Sequence, residues 1–321
     1  MKKMNYNLFG TNTGLKASQL ILGAASFGTR NGYGTTSDEA IKIMNSYAEA
    51  GGNFIDTADR YQLGESEEIV GKFIEGKRHN FIVSTKYTSS SDAKPHIGNY
   101  GNHRKAMRQA VESSLKRLRT DYIDLYMPHF DDGYTPLEEI ARGLEDLVTS
   151  GKILYTGIAN FPAWKISRIA GMFKLNAVQL EYNLVQRTAE REFMPMAKHL
   201  GLGTMMYSPL AGGLLTGKYR SGANGRLNQS ANSEVKEDET TARIVDLLIQ
   251  IALDMNVQPN QIALAWVLSK SGFPIVGART LQHLTDALSI VNLSSEHIAS
   301  LDEISAISLG YPHDLLSIVQ K

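Results

Sequence analysis

The chain has 321 residues, with 33 acidic and 33 basic side chains and no cysteine. Balanced charge leaves no global field to draw in a nucleic-acid backbone or an anionic membrane, so neither is an expected partner. The absence of cysteine removes disulfides, thiolate nucleophiles and cysteine-bound zinc or iron–sulfur centres, so any cofactor should be organic. The start, Met1 to Asn7, is basic but lacks the apolar stretch of a secretory signal, and no apolar run is long enough to span a bilayer. A cytoplasmic protein is expected.

In chain order, Tyr6 to Leu20 reads as a hairpin around Gly10 to Gly14, placed to plug the lower end of a barrel. Apolar runs then alternate with amphipathic stretches. Leu20 to Gly23 precedes a helix from Ser37 to Ala50, Phe54-Ile55 one from Glu65 to Ile74, and Phe81 to Val83 one from Arg104 to Leu118. Tyr122 to Leu125 precedes Pro136 to Val148, Ile153 to Ile158 precedes Ala163 to Phe173, and Ala177 to Leu180 precedes Glu190 to His199. Gly203 to Tyr207 pairs with a later helix near Asn260 to Ser269, and Pro274 to Val276 with Leu281 to Ile290.

Eight such units predict a single α/β domain over residues 1–321, a (β/α)8 TIM barrel. Ser37-Asp38-Glu39 and Thr135-Pro136 read as helix starts, Gly51-Gly52 and Gly151 as stops. The stretch from Ala211 to Glu239, after the seventh barrel strand, is rich in Gly, Ser and Asn and too long for an ordinary connector. It is expected to be a functional loop able to close over a ligand.

Four polar residues fall just past the apolar runs: Asp56, Tyr61, Lys86 and His129. In an α/β barrel the C-terminal ends of the strands form the rim where chemistry is built. A buried lysine beside a phenol should depress the phenol's pKa, and an aspartate would anchor the lysine. The phenol could then give a proton to a carbonyl oxygen. Each has a structural alternative when taken singly: an ion pair, a rim tyrosine, a satisfied core histidine.

The motifs around these residues resemble the aldo-keto reductases. They are Asn53-Phe54-Ile55-Asp56-Thr57-Ala58 with Tyr61 and Gly64-Glu65-Ser66-Glu67, then Ser84-Thr85-Lys86 and Asp124-Leu125-Tyr126-Met127-Pro128-His129. Gly157-Ile158-Ala159-Asn160-Phe161, Gln179-Leu180-Glu181-Tyr182-Asn183, Tyr207-Ser208-Pro209-Leu210 and Gly277-Ala278-Arg279 continue the set in one order. The style is closest to bacterial members that also resemble potassium-channel β subunits.

The resemblance implies NADP(H)-dependent reduction of aldehydes or ketones, with Tyr61 as proton donor, Lys86 and Asp56 tuning it, and His129 orienting the carbonyl. It implies that Asn160 and Gln179, next to Ala159 and Asp56, hold the carboxamide, and that Tyr207 stacks on the nicotinamide ring. Ser208, Pro209, Leu210 and Gly212 would approach the pyrophosphate, Lys218 would meet phosphate, and Arg279, near Gly277, would favour NADP(H) through the 2′-phosphate. Ala159 lacks a hydroxyl common at its position, and His283, Asp286 and Ala287 replace glutamine, glutamate and asparagine near the adenine. Cofactor binding that is retained but weaker at the adenosine end is therefore expected.

Other motifs fail. Gly212 to Lys218 nearly forms a phosphate-binding loop, but Tyr219 takes the place of the magnesium-binding hydroxyl. No Gly-x-Gly-x-x-Gly follows a strand, and no His-Glu-x-x-His spacing suggests a metal. Asn102-His103-Arg104 reads as a pocket wall, and Phe27, Tyr33, Tyr87 and Phe130 as rim aromatics that line a pocket or pack in the core. No arginine-rich substrate clamp is evident, so a small carbonyl compound is the expected partner, with the oligomeric state open. Two other readings remain: a nicotinamide-binding redox-sensing subunit with slow turnover, and a barrel isomerase or aldolase using Lys86 as a Schiff-base amine. An appended N-terminal segment that would act on a partner is not expected.

Overall fold

The computed structural model describes residues 4–223, 225–228 and 237–319. Strands β1 (Tyr6–Leu8) and β2 (Lys16–Ser18) pair antiparallel as a hairpin. Eight parallel strands follow: β3 (Ile21–Gly23), β4 (Phe54–Asp56), β5 (Ile82–Tyr87), β6 (Ile123–Pro128), β7 (Ile153–Ala159), β8 (Ala177–Glu181), β9 (Gly203–Tyr207) and β10 (Phe273–Gly277). Pairing of β10 with both β9 and β3 closes the barrel.

The two-residue period of a strand decides which side chains point inward. Ile21, Phe54, Ile82, Leu125, Ala177, Met205 and Phe273 meet in the barrel interior, while Leu22, Ile55, Val83, Tyr126 and Val178 face the helices. Two or four residues beyond an inward apolar residue, the same face carries Asp56, Lys86 and His129. Chemistry at the rim is thus the upper layer of the alternation that fills the core.

Phe9, just after β1, enters the lower end of the barrel. Its ring lies 5.4 Å from Phe54 and 5.2 Å from Phe273. A Cβ at Gly203 would stand 2.7 Å from the Phe9 ring, so glycine is needed there for the plug to seat. The hairpin caps the barrel as its turn residues suggested.

Helices α1 (Ser37–Glu49), α2 (Glu65–Ile74), α3 (Arg104–Leu118), α4 (Leu137–Thr149), α5 (Ala163–Ala170) and α6 (Phe193–His199) surround the first six barrel strands. The bounds of α2 and α3 agree with the sequence reading. Thr36, one residue before the expected start, caps α1 by accepting from the Glu39 amide. Thr135 does not cap α4; its hydroxyl donates to Asp132 instead.

The seventh unit departs from one helix per strand. It carries α7 (Glu239–Met255) as well as α8 (Pro259–Leu268), and α7 buries Ile244, Val245, Leu248 and Ile251. The polar stretch before it hid this helix from the sequence reading. After α9 (Leu281–Leu288), α10 (Ser295–Ile304) and α11 (His313–Val319) extend past the predicted units. Asp302 ties α10 to α8 by accepting from Trp266 Nε1 at 2.9 Å and Lys270 Nζ at 2.6 Å. The described part of the long loop folds into short 3-10 turns at Ala211–Thr216, Lys218–Ser221 and Arg226–Asn228. The rest of the expected closing loop, residues 224 and 229–236, lies outside the described residues.

Candidate active site

The rim is built around one buried carboxylate. Asp56 ends β4, and its Oδ1 accepts from Ser84 Oγ at 2.6 Å and Gln179 Nε2 at 3.1 Å. Its Oδ2 accepts from Lys86 Nζ at 2.7 Å. Lys86 also donates to the Thr57 carbonyl at 2.8 Å and reaches Tyr61 OH at 3.5 Å. Burial works to discharge this fully buried amine, but Asp56 and Tyr61 outweigh it, so the Lys86 pKa lies above its ordinary value. An ammonium with these three partners is a poor amine nucleophile, which speaks against Schiff-base chemistry.

Tyr61 opens a 3-10 turn, Tyr61–Gly64, in which Gln62 and Leu63 both adopt left-handed backbone conformations. The Gln62 side chain holds this strained turn by donating to the Tyr33 carbonyl and accepting from the Asn31 amide. The expected fall in the phenol pKa is corrected here. Burial raises it, Lys86 opposes, and the net direction is upward. Before a ligand binds, Tyr61 is therefore a protonated acid beside a fixed positive charge.

His129 follows β6, anchored by its amide, which donates to the Tyr87 carbonyl at 2.9 Å and Thr88 Oγ1 at 3.1 Å. Its ring meets Tyr61 edge-on, centroids 5.5 Å apart. Burial, Lys86 and Arg60 push its pKa down to about 3, so the imidazole is neutral at ordinary pH. His129 Nδ1 is buried with no hydrogen-bond partner among the described residues.

Asn102 is not a pocket wall. It is buried, accepts from Thr88 Oγ1 at 2.5 Å and donates to the Phe130 carbonyl, bracing the backbone on both sides of His129. Thr88 itself is held at φ +116°, a conformation that costs a β-branched residue energy and signals over-determined local structure. His103 caps α3, and Arg104 pairs with Asp146. Phe27 and Tyr87 are core residues. Gln62 and Thr88, the hold of Ser84 on Asp56 and the bracing role of Asn102 escaped the sequence reading, because their importance lies in partners far along the chain.

Asn160 follows Ala159, whose methyl is buried among the interior apolar residues. Asn160 sits at φ +54°, donates to the His129 carbonyl at 2.9 Å and accepts from Tyr207 OH at 3.0 Å. The Asn160 amide retains a second hydrogen and a second lone pair for a ligand. Beyond Tyr207 the backbone is left-handed at Ser208, Ala211, Gly212 and Gly213. Asn183 Nδ2 donates to the Ser208 carbonyl, Pro209 is buried, and Leu210 packs on the outer core.

Lys218, Arg279 and His283 come together. Burial and Arg279 lower the Lys218 pKa, while burial, Arg279 and Lys218 lower that of His283. Arg279 also lies 4.5 Å over the Tyr33 ring. A lysine whose charge is opposed by a nearby arginine suits an anionic group such as a 2′-phosphate, so this donor set fits NADP(H). Nothing lies within 4 Å of where a Cβ on Gly277 would stand, which leaves room beside Arg279. Asp286 accepts from Gln282 at 2.8 Å.

Two cavities lie near these groups. One, about 380 Å³, contains Tyr61, His129, Phe130, Tyr100, Arg60 and Arg226. A larger one, about 610 Å³, runs along α3 over Asp59, Ser91 and Arg117 and contains none of the four predicted catalytic residues, so the smaller cavity is the one at the chemistry. Asp59 was not singled out in the sequence. Its amide donates to the Lys86 carbonyl at 3.0 Å, and its carboxyl, raised to about 7 by burial and Glu67 against the pull of Arg117, has an unpartnered Oδ1.

Among the described residues no helix is long and apolar enough to cross a membrane. The model of the Aldo/keto reductase family matches residues 19–306. A norsolorinic acid reductase of Aspergillus flavus is 33% identical over 97% of this chain and 84% of its own length. An NADP(+) aryl-alcohol dehydrogenase of Phanerodontia chrysosporium is 34% identical over 94% of this chain and 86% of its own. A putative aryl-alcohol dehydrogenase of Saccharomyces cerevisiae is 32% identical over 94% and 87%. Matched along almost its whole barrel, the chain belongs to the aldo/keto reductase family of carbonyl-reducing oxidoreductases.

Proposed function

We propose that the protein reduces aldehydes or ketones to alcohols with NADPH, using Tyr61 as the proton donor. The observation that carries this reading is the buried chain Asp56–Lys86–Tyr61, with the neutral His129 ring beside the phenol. The nicotinamide, when bound, supplies the hydride. Tyr61 gives its proton to the carbonyl oxygen, and the Lys86 ammonium stabilises the phenolate left behind. Asp56 keeps Lys86 charged and in place. The neutral imidazole of His129 hydrogen-bonds the carbonyl and sets its angle without adding a charge to the cavity.

Asn160 and Gln179 would hold the carboxamide, Tyr207 would stack on the ring, and Lys218 and Arg279 would take the phosphates. A relative named for NADP(+) supports that cofactor, and two named for aryl alcohols support an aromatic carbonyl. The test is oxidation of NADPH and NADH with aromatic aldehydes such as 4-nitrobenzaldehyde. Sustained turnover with preference for NADPH is expected. A single slow turnover with tightly held nucleotide would replace the reading with a redox-sensing subunit.

A further inference from the structure

The described residues that line the smaller cavity include two arginines, Arg60 and Arg226, and no acid. Several other surface guanidinium groups meet acids: Arg30 with Glu68 at 2.6 Å, Arg168 with Glu138 at 2.6 Å, Arg220 with Glu237 at 2.7 Å. Among the described residues, neither Arg60 nor Arg226 has a carboxylate within 4.0 Å. Both line the cavity that holds Tyr61 and His129, and both are exposed. The Asp56 carboxylate, linked to Tyr61 through Lys86, is already engaged by Lys86, Ser84 and Gln179. The sequence showed no clamp of this kind because Arg60 and Arg226 are far apart along the chain.

We propose that the substrate is a carbonyl compound bearing an anionic group, which Arg60 and Arg226 bind while the carbonyl meets Tyr61 and His129. This deepens the reductase reading and rests on it. Phe130, 6.4 Å from Tyr100, gives the cavity an aromatic wall suited to a ring between the anion and the carbonyl. The cavity volume of about 380 Å³ lies at the small end of the range for ligand pockets. The field of the two cations reaches the reacting groups: Arg226 opposes the rise of the Tyr61 pKa, and Arg60 helps keep His129 neutral.

The test compares 4-carboxybenzaldehyde with its uncharged analogue 4-formylbenzamide, using NADPH and the whole chain. The readout is the ratio of kcat/KM values, acid over amide, in the wild type and in Arg60→Gln, Arg60→Lys and Arg226→Gln. Using each protein's own ratio cancels general effects on folding or nucleotide binding. A charge-assisted contact at an exposed site predicts a ratio that falls roughly 5- to 20-fold in Arg60→Gln. Arg60→Lys should recover part of it, and added salt should shrink the wild-type ratio. Reduction of both aldehydes with a ratio indifferent to all three variants and to salt would overturn the inference and leave the reductase reading standing. A rise in the KM for NADPH in Arg226→Gln, with its ratio unmoved, would overturn the assignment of that arginine to substrate. Failure to reduce either aldehyde, with nucleotide bound, would remove the reductase reading and this inference with it.

Discussion

The two ends of the rim are built differently. At the catalytic end Asp56, Ser84, Lys86 and Gln179 form one buried side-chain hydrogen-bond network, and Asn160 and Tyr207 a more open pair. At the adenosine end Lys218 and Arg279 oppose each other's charge, and both disfavour the charged form of the neighbouring His283. The first set is preorganised by the protein, and the second is completed by its ligand. Changes at the catalytic end should therefore appear in kcat and stability, and changes at the adenosine end in cofactor KM.

The largest effect should come from Tyr61→Phe, which keeps the ring and removes the proton. A fall in kcat of roughly 10²- to 10⁴-fold with nucleotide affinity retained is expected in steady-state kinetics and a binding titration. Full activity would break the contrast at its strongest point. Lys86→Met should follow, because it leaves the Asp56 carboxylate buried without its cation. A loss of roughly 3–5 kcal/mol in denaturant unfolding is expected, together with loss of activity.

Asp59 sharpens the contrast through pH. Its carboxyl is raised from 3.8 to about 7 in the folded protein, so between those values the native state binds more protons than the unfolded chain. Stability contributed by this group is present below the unfolded value and falls as pH rises through the folded one, by roughly 4 kcal/mol in all. Asp59→Asn should lose that slope, giving a higher Tm than the wild type near pH 8 but not near pH 4. Parallel Tm profiles for the two proteins would show that the carboxyl is not held neutral. The smallest effect is expected at the other end: Arg279→Gln should raise the KM for NADPH roughly tenfold, leave that for NADH nearly constant and barely move kcat. An equal rise for both cofactors would break the assignment to the 2′-phosphate.

Strand positions and the four rim residues were legible because a period of two and a change from apolar to polar are local signals. The bounds of α2 and α3 were legible for the same reason. The pKa of Tyr61 was not, since its direction depends on how burial weighs against one lysine, and burial is a property of the closed barrel. Asn102 looked like a loop polar group because its partners, Thr88 and Phe130, lie 14 and 28 residues away. Arg60 and Arg226 come together only after the long loop folds back over the rim, so their pairing leaves no trace in spacing. The helix α7 was lost behind the polar run that precedes it.

The phenylalanine plug places a condition on the order of synthesis. Phe9 is synthesised well before one of its ring partners, Phe273, which belongs to the last barrel strand. During most of translation the hairpin has nowhere to insert, and the lower apolar layer stays open to water and to chaperones. Contacts of such long sequence separation make closure a late and slow event. The hairpin, made before every barrel strand, is thus among the last segments to be secured, and conditions that slow translation should lengthen the interval in which this apolar surface is exposed.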